Sequence, residues 1–149
     1  MKVSRRTEYG LRALVALAER AQPDAKPVSL REIAVGEDIP EAFLDQIFSV
    51  LRRDGIVQSI RGAGGGYLLA RGADAIRMGQ VVKTLEGSVA PMGCVSEEFA
   101  SPADFCPKAD RCHTRNVWQK LSDTIERTLD GISLADVMAD EAAAESSAS

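Results

Sequence analysis

The segment from residue 56 to residue 71, IVQSIRGAGGGYLLAR, constrains the fold of this chain more than any other feature. Two short runs with β-forming residues flank four glycines, Gly62, Gly64, Gly65 and Gly66. Glycine tolerates positive φ angles and leaves the tip of a turn without side chains. The pattern therefore predicts an antiparallel β-hairpin with a glycine-rich tip. No Gly-Lys-Ser/Thr sequence follows the glycines, which excludes a Walker-type phosphate loop.

Three segments with helical patterning precede this hairpin. The first spans about residues 7–21, and the second begins at Ser29, which forms a capping box with Glu32 three positions later. The third begins after Pro40, a residue suited to the first turn of a helix, and ends at Gly55. Apolar residues recur at helical spacing in the first and third segments. They are Leu11, Leu14, Val15 and Ala18 in the first, and Phe43, Leu44, Ile47, Phe48 and Leu51 in the third.

Three short helices followed by a hairpin are the element order of a winged helix-turn-helix. The sequence therefore predicts a mainly α-helical fold with a small β-hairpin wing. In such a fold the third helix enters the major groove of DNA, and the wing reaches the neighbouring minor groove or backbone. Residues 1–71 carry 11 Lys/Arg and 9 Asp/Glu, whereas residues 72–149 carry 7 and 13. This asymmetry favours a DNA-facing module joined to a second part that does not bind DNA. The alternative interpretation of the RGAGGG segment is a simple surface turn without a role in DNA binding.

Polar side chains on these elements are the candidate DNA contacts. Gln46 can pair with adenine, and Asp45 can accept a hydrogen bond from cytosine. Arginines at the end of the third helix and near the N-terminus suit phosphates, and Arg61 at the base of the wing suits a narrow minor groove. Tyr9 either donates to a phosphate or covers the core. The full candidate set is Arg5, Arg6, Tyr9, Glu41, Asp45, Gln46, Arg52, Arg53, Arg61, Gly64 and Gly65.

The second half of the chain predicts a short helix at residues 75–87 and a longer one from about Thr114. The longer helix has about 16 residues, or about 24 Å, and one apolar stripe. Such a stripe must pack on another surface, either on its own domain or on a second copy of the chain. The stripe consists of Val117, Trp118, Leu121, Ile125, Leu129 and Ile132. The final segment, residues 139–149, consists mainly of small and acidic residues, and this composition predicts disorder.

All three cysteines, Cys94, Cys106 and Cys112, and the only histidine, His113, lie within residues 93–113. Soft thiolates in a loop bind iron or zinc, and iron–sulfur clusters are held mainly by cysteine. The spacing lacks the Cys-x-x-Cys pairs of zinc ribbons, so spacing alone leaves a metal site and three unrelated cysteines both open. A disulfide framework is disfavoured by the odd number of cysteines. We predict no enzyme, because adjacent Cys112 and His113 form a poor nucleophile–base pair and no other histidine exists.

The predicted organisation has five parts along the chain. They are a winged helix-turn-helix at 1–72, a connecting helix at 73–92, a cysteine-bearing loop at 93–113, a dimerisation helix with a final turn at 114–138, and a tail at 139–149. No apolar stretch approaches the roughly 18 residues that a membrane span requires. The N-terminal segment has no cleavage-site pattern, so we expect a cytoplasmic protein.

Several motifs resemble the Rrf family of bacterial transcription regulators, which includes iron–sulfur sensors of the IscR, NsrR and RirA types. They are TEYGLRALVALA, PVSLREIA, IPEAFLDQIFSVLRRDGIVQSIRGAGGGYLLAR, and the cysteines followed by VW. The resemblance covers residues 1–137 and is most specific over residues 39–71. It implies a winged-helix homodimer, joined through the long helix, that binds palindromic promoter DNA. It also implies that the three cysteines hold a two-iron or four-iron cluster whose state controls DNA binding.

Three thiolates leave a four-ligand cluster one ligand short. IscR-like members place a histidine three residues after the last cysteine, but Arg115 stands there, and His113 is one alternative. Glu8 matches the position of an acidic ligand that NsrR-like members supply from the partner subunit, although a charge near a helix N-terminus also explains it. Phe43 stands where relatives often have Tyr, and the first cysteine gap is longer than in IscR-like members. The competing function is a winged-helix regulator that uses the cysteines as a thiol switch or zinc site.

Overall fold

Seven α-helices and a two-stranded antiparallel sheet form the part of the chain described by this computed structural model, residues 2–22 and 24–148. The elements are α1 (Arg5–Ala21), α2 (Leu30–Glu37), α3 (Glu41–Arg53), β1 (Val57–Ile60), β2 (Gly66–Leu69), α4 (Met78–Glu86), α5 (Pro102–Phe105), α6 (Arg115–Asp130) and α7 (Leu134–Ala148). The predicted fold class, mainly α with a hairpin wing, is confirmed. Pro23, which the sequence predicts to lie in the loop before α2, is outside the described residues.

Side-chain caps set where the first two helices begin. The Ser29 hydroxyl accepts a hydrogen bond from the Glu32 backbone N–H at 3.2 Å, as the capping-box pattern predicts. The Ser4 hydroxyl accepts from the Thr7 N–H at 3.3 Å in the same way. Because Ser4 is the cap, α1 begins at Arg5, before the first residue of the predicted apolar pattern.

The core lies between α1, α3 and α4, where the apolar stripes meet. Leu14, Leu17, Ile47 and Phe48 have no exposed surface, and burial of each such side chain contributes about 1.5–3 kcal/mol. Gly10 allows α1 to approach α4 closely, because a side chain there would collide with Leu85. These contacts fix the orientation of α3 relative to the rest of the chain.

The wing is attached to the helices by backbone hydrogen bonds as well as by packing. Residue 57 pairs with 69 and residue 60 with 66 across the hairpin. The Val28 N–H donates to the Tyr67 carbonyl at 2.9 Å, and the Tyr67 N–H donates back at 2.8 Å. The Tyr67 ring also meets Phe48 of α3 edge-on, with centroids 5.0 Å apart. The hairpin is therefore held at both the start of α2 and the middle of α3.

The C-terminal segment is helical in the structure, which differs from the disorder predicted for it. The sequence predicts one turn after Ser133 and disorder from residue 139, but the helix continues through Ala148, and Ser149 lies outside the described residues. Leu134 is fully buried, and Val137 and Met138 pack against the core. Once this first turn is anchored, the alanine-rich sequence that follows has a high helix propensity. Composition alone predicted disorder because it carries no information on this anchor.

Within residues 2–22 and 24–148, no helix is both long enough and apolar enough to span a bilayer. The longest helix, α1, has 17 residues and carries several charged side chains.

Candidate nucleic-acid interface and cysteine site

The outer face of α3 presents polar groups, and its inner face is buried in the core. Leu44, Ile47, Phe48 and Leu51 have no exposed surface, which leaves the other side of the helix free to contact a partner. Charged and amide side chains occupy that side. They are Glu41, Asp45, Gln46, Arg52 and Arg53, and all are exposed. The early residues offer groups that read base edges, and the two arginines offer groups that bind phosphates.

The wing places Arg61 next to a tip without bulky side chains. Arg61 is exposed and directly follows β1. Gly62 and Gly64 have φ angles of 105° and 84°, which side-chain-bearing residues rarely adopt. Gly65 approaches the Ile60 carbonyl so closely that a Cβ would collide with it. The sequence-predicted candidates Arg61, Gly64 and Gly65 thus lie together at the tip of the wing, where Arg61 and Gly64 are exposed and Gly65 is half-buried.

The N-terminal turn of α1 contributes further cations near α3. Arg5 is exposed, and its Nη1 donates to the Tyr9 hydroxyl at 3.1 Å. This hydrogen bond is the main reason that the pKa of Arg5 is raised. Arg6 is half-buried, and its Nε has no hydrogen-bond partner among the described residues. Tyr9 is half-buried and packs edge-on against Phe43 of α3, with ring centroids 5.6 Å apart.

The three cysteines converge on one small cavity although Cys94 and Cys112 are 18 positions apart in the sequence. The cavity has a volume of about 80 Å³ and is otherwise lined by apolar groups and one hydroxyl. Cys94 is buried, Cys106 is half-buried and Cys112 is exposed. The remaining lining residues are Met92, Phe105, Ala109, Thr114 and Trp118. The chain therefore gathers three thiols at a site that is partly shielded from water.

Local hydrogen bonds hold the backbone around this cavity. The Arg115 Nε donates to the Cys94 carbonyl at 3.2 Å, which ties the first cysteine to the start of α6. The Ala109 N–H donates to the Cys106 carbonyl at 2.9 Å. The Cys112 sulfur lies 3.2 Å from the Thr114 hydroxyl, and this contact is the main reason that the pKa of the Cys112 thiol is lowered. Arg115, three positions after the last cysteine, thus has a structural contact with the backbone of the first cysteine.

The three thiols are the type of ligand that holds an iron–sulfur cluster. In the described parts of the chain, no group of three or more His, Cys, Asp or Glu side chains is placed to hold one ion. In a cluster, the cysteines are distributed over two or more iron atoms, so the three sulfurs need not converge on one point. Neither proposed fourth ligand lines the cavity of this single chain. Glu8 is exposed on the first turn of α1, and His113 is exposed beside Cys112.

The apolar stripe of α6 is only partly covered by its own chain. Leu129 and Ile132 pack against the core, but Val117 is 55% exposed and Leu121 is 42% exposed. Ile125 lies between Leu121 and Leu129 along the helix and is half-buried. The N-terminal half of the helix, next to the cysteine cavity, therefore carries the uncovered part of the stripe.

Side chains on α4 that the sequence did not predict to be important connect the two halves of the chain. Lys83 forms ion pairs with Glu97 in the cysteine segment at 3.5 Å and with Glu126 of α6 at 3.4 Å. At the next residue, the Thr84 hydroxyl donates to the Asp54 carboxylate at 2.8 Å. The Arg71 guanidinium hydrogen-bonds to the Gln80 side chain. These residues belong to no motif, and the Thr84 partner is 30 positions away. No sequence pattern therefore predicts these contacts.

The helices, the wing and the exposed polar face of α3 define a winged-helix DNA-binding protein. A family profile described as "Rrf2: Iron-dependent Transcriptional regulator" matches residues 3–140. The chain belongs to the Rrf2 family, which confirms the resemblance predicted from its motifs.

Individual relatives agree with this assignment. The chain is 36% identical over 138 residues to the HTH-type transcriptional regulator IscR of Yersinia enterocolitica, covering 93% of this chain and 79% of the relative. The structure of CymR, the global cysteine regulator of B. subtilis, has a TM-score of 0.72 and 34% identity, covering 93% of this chain and 97% of CymR. The structure of T. potens IscR has a TM-score of 0.71 and 35% identity, covering 95% and 88%. The protein is a transcriptional regulator of this type.

Proposed function

We propose that the protein is a homodimeric regulator whose promoter binding is controlled by an iron–sulfur cluster held by Cys94, Cys106 and Cys112. The observation that carries this proposal is the convergence of all three thiols on one cavity. Thiolates are the principal ligands of such clusters. The description of the family as iron-dependent and the IscR names of relatives support the same assignment.

In this proposal α3 reads the major groove of double-stranded promoter DNA, and the wing contacts the adjacent backbone or minor groove. The exposed positions of Asp45, Gln46 and Arg61 support this docking. Two copies related by a two-fold axis read two half-sites about 34 Å apart or a multiple of that distance. The uncovered side chains Val117 and Leu121 supply the apolar surface on which the second copy packs.

The cysteine residues would hold the cluster, which would supply redox and ligand-exchange chemistry at this position. We propose Glu8 of the partner subunit as the fourth ligand, on the strength of the family resemblance and its exposed carboxylate on α1. A carboxylate is a more exchangeable ligand than a thiolate, which suits a sensing site. His113 is the less favoured alternative.

A thiol switch without a cluster is the second candidate. Cys112 is exposed, and its sulfur contacts the Thr114 hydroxyl. Cys106 lines the same cavity, so it is available as a resolving thiol. A zinc site held by the same cysteines is another form of this alternative.

Anaerobic purification with an absorption spectrum and iron and sulfide analysis distinguishes these functions. The cluster proposal expects a coloured protein with iron and sulfide, and each of Cys94→Ala, Cys106→Ala and Cys112→Ala should lose most visible absorption. Helical circular dichroism should remain in each variant, because the winged helix has its own core. His113→Ala is the matched control and should keep both colour and iron. A colourless protein with stoichiometric zinc, or one without metal whose DNA binding follows thiol oxidation, would replace the cluster with the competing function.

A further inference from the structure

One aromatic contact joins the N-terminal turn of α1 to the beginning of the DNA-reading helix. The Tyr9 and Phe43 rings meet edge-on, with centroids 5.6 Å apart and an angle of 74° between their planes. Phe43 is the third residue of α3 and lies between the exposed polar residues Glu41 and Asp45. The contact therefore lies at the end of α3 that carries the candidate base-reading side chains.

This end of α3 lacks the local support that the first two helices have. Its N-cap residue is Pro40, and no side chain caps the free N–H groups there. A capping side chain normally stabilises the first turn of a helix, as Ser4 and Ser29 do for α1 and α2. The preceding turn passes through Asp38 at a φ of 54°. Packing on α1 must therefore hold the first turn of α3 in place.

Two arginines hold the Tyr9 ring against Phe43. The guanidinium groups of Arg5 and Arg12 each lie 5.6 Å from the centre of the Tyr9 ring, a distance at which a cation is attracted to the ring face. Arg12 also donates to the backbone carbonyl of Glu37 at the end of α2. Tyr9 and Arg12 together therefore connect α1 to both α2 and α3.

We propose that Tyr9 is a positioning residue that sets DNA sequence specificity by fixing the first turn of α3 through Phe43. This inference rests on the proposed docking of α3 in the major groove. Bidentate contacts to base edges depend on geometry, whereas phosphate contacts position the protein without reading sequence. Movement of the first turn of α3 should therefore weaken the discrimination between sequences more than it weakens binding to any DNA.

The competing role for Tyr9 is a direct hydrogen bond from its hydroxyl to a phosphate. The two roles depend on different parts of the side chain. The ring carries the packing on Phe43 and the cation–π contacts with Arg5 and Arg12. The hydroxyl accepts the Arg5 hydrogen bond and would carry the phosphate contact. Tyr9→Phe removes only the hydroxyl, and Tyr9→Leu removes the aromatic ring as well.

The test measures two affinities for each variant. One is for a duplex enriched from a random pool by the parent protein, and the other is for a shuffled duplex of the same composition. Tyr9→Leu should lower the ratio of the two by about three- to tenfold, while Tyr9→Phe keeps it within about twofold. Phe43→Leu tests the other side of the contact and should behave like Tyr9→Leu. Phe99→Leu is the matched control, because it removes a similar edge-on pair, with Phe105, outside the DNA-binding unit.

The outcomes separate the alternatives. Equal losses in Tyr9→Phe and Tyr9→Leu would assign the effect to the hydroxyl and overturn the positioning role. An unchanged ratio in folded Tyr9→Leu and Phe43→Leu proteins, checked by circular dichroism, would also overturn it. If the parent protein itself enriches no sequence, the proposed function fails, and that result is distinct from a failure of the positioning role.

Discussion

The ammonium group of Lys83 lies 3.5 Å from the carboxylate of Glu97, which forms an ion pair between α4 and the cysteine segment. Burial of Lys83 opposes its charge, but Glu126 and Glu97 outweigh this effect, and the pKa of Lys83 is raised. On the same helix, Gln80 and Thr84 contact Asp54 at the end of α3. These contacts connect the cysteine segment to the C-terminal end of the DNA-reading helix through α4.

The first prediction concerns Lys83→Ala. Partly exposed ion pairs contribute about 0–1 kcal/mol each, so the free energy of unfolding should fall by no more than about 1–2 kcal/mol. If α4 couples the cysteine site to DNA, the difference in DNA affinity between the cluster-loaded and cluster-free proteins should shrink by about five- to tenfold. Lys120→Ala, an exposed lysine on α6, is the control. Equal affinity differences in the two variants would exclude Lys83 from the coupling.

The second prediction concerns Gly66 at the start of β2. Its φ is 154°, and a Cβ would lie 2.5 Å from the Val28 carbonyl oxygen. Gly66→Ala should therefore lower the free energy of unfolding by about 1–3 kcal/mol and weaken DNA binding by displacing the wing. Gly72→Ala is the control, since it meets only the flexible side chain of Asp74. Thermal melting and DNA titration measure both effects, and equal melting temperatures for the two variants would contradict this account.

The third prediction concerns the arginines that face DNA in the proposed docking. Arg53→Ala should reduce the slope of log affinity against log salt by about 0.9, because one phosphate contact is lost. Arg61→Ala should weaken binding to the enriched duplex through loss of the wing contact. Arg111→Ala, an exposed arginine in the cysteine segment, is the charge-matched control. If Arg53→Ala and Arg61→Ala titrate like Arg111→Ala at all salt concentrations, the docking is wrong.

The fourth prediction concerns the uncovered stripe of α6. Leu121→Asp should yield monomers in light scattering and lose operator binding, because each large apolar side chain buried on a partner contributes about 1.5–3 kcal/mol. Ile125→Asp should have the same effect. Asn116→Asp, an exposed residue on a different face of α6, should leave the dimer intact. Dimers that survive both stripe variants would place the interface elsewhere.

Local chemistry explains which parts of the fold the sequence predicts well. The beginning of α2 follows from Ser29 and Glu32, which are three positions apart. The wing follows from its glycines, and α6 has the 16 residues expected from its apolar period. The helical C-terminus is the opposite case, because Leu134 anchors it through contacts with distant parts of the core.

In the candidate site, too, the sequence predicts local features but not contacts between distant residues. The sequence identifies the three cysteines, but only the fold shows that they line one cavity. The contacts of Lys83 and the packing of Tyr9 on Phe43 connect residues 14 or more positions apart. Such pairings depend on the chain path and leave no periodic signal in the sequence.

The last prediction concerns the fourth ligand. Glu8 is exposed on the first turn of α1, directly before Tyr9. The start of this helix is tied to α4, because the Ser4 N–H donates to the Glu86 carboxylate at 2.5 Å. A bond between Glu8 and a cluster in the partner subunit would therefore act on the same turn that positions α3.

Glu8→Ala should leave a cluster that is more labile or spectrally shifted, and it should reduce the difference in DNA affinity between loaded and cluster-free protein. A coupling free energy of about 1.4 kcal/mol corresponds to a tenfold change in affinity, so the reduction is measurable by titration. His113→Ala should change neither the spectrum nor the affinity difference, because His113 does not line the cysteine cavity. The reverse result, a spectrum perturbed by His113→Ala and not by Glu8→Ala, would assign the fourth ligand to His113 and remove the link through α1.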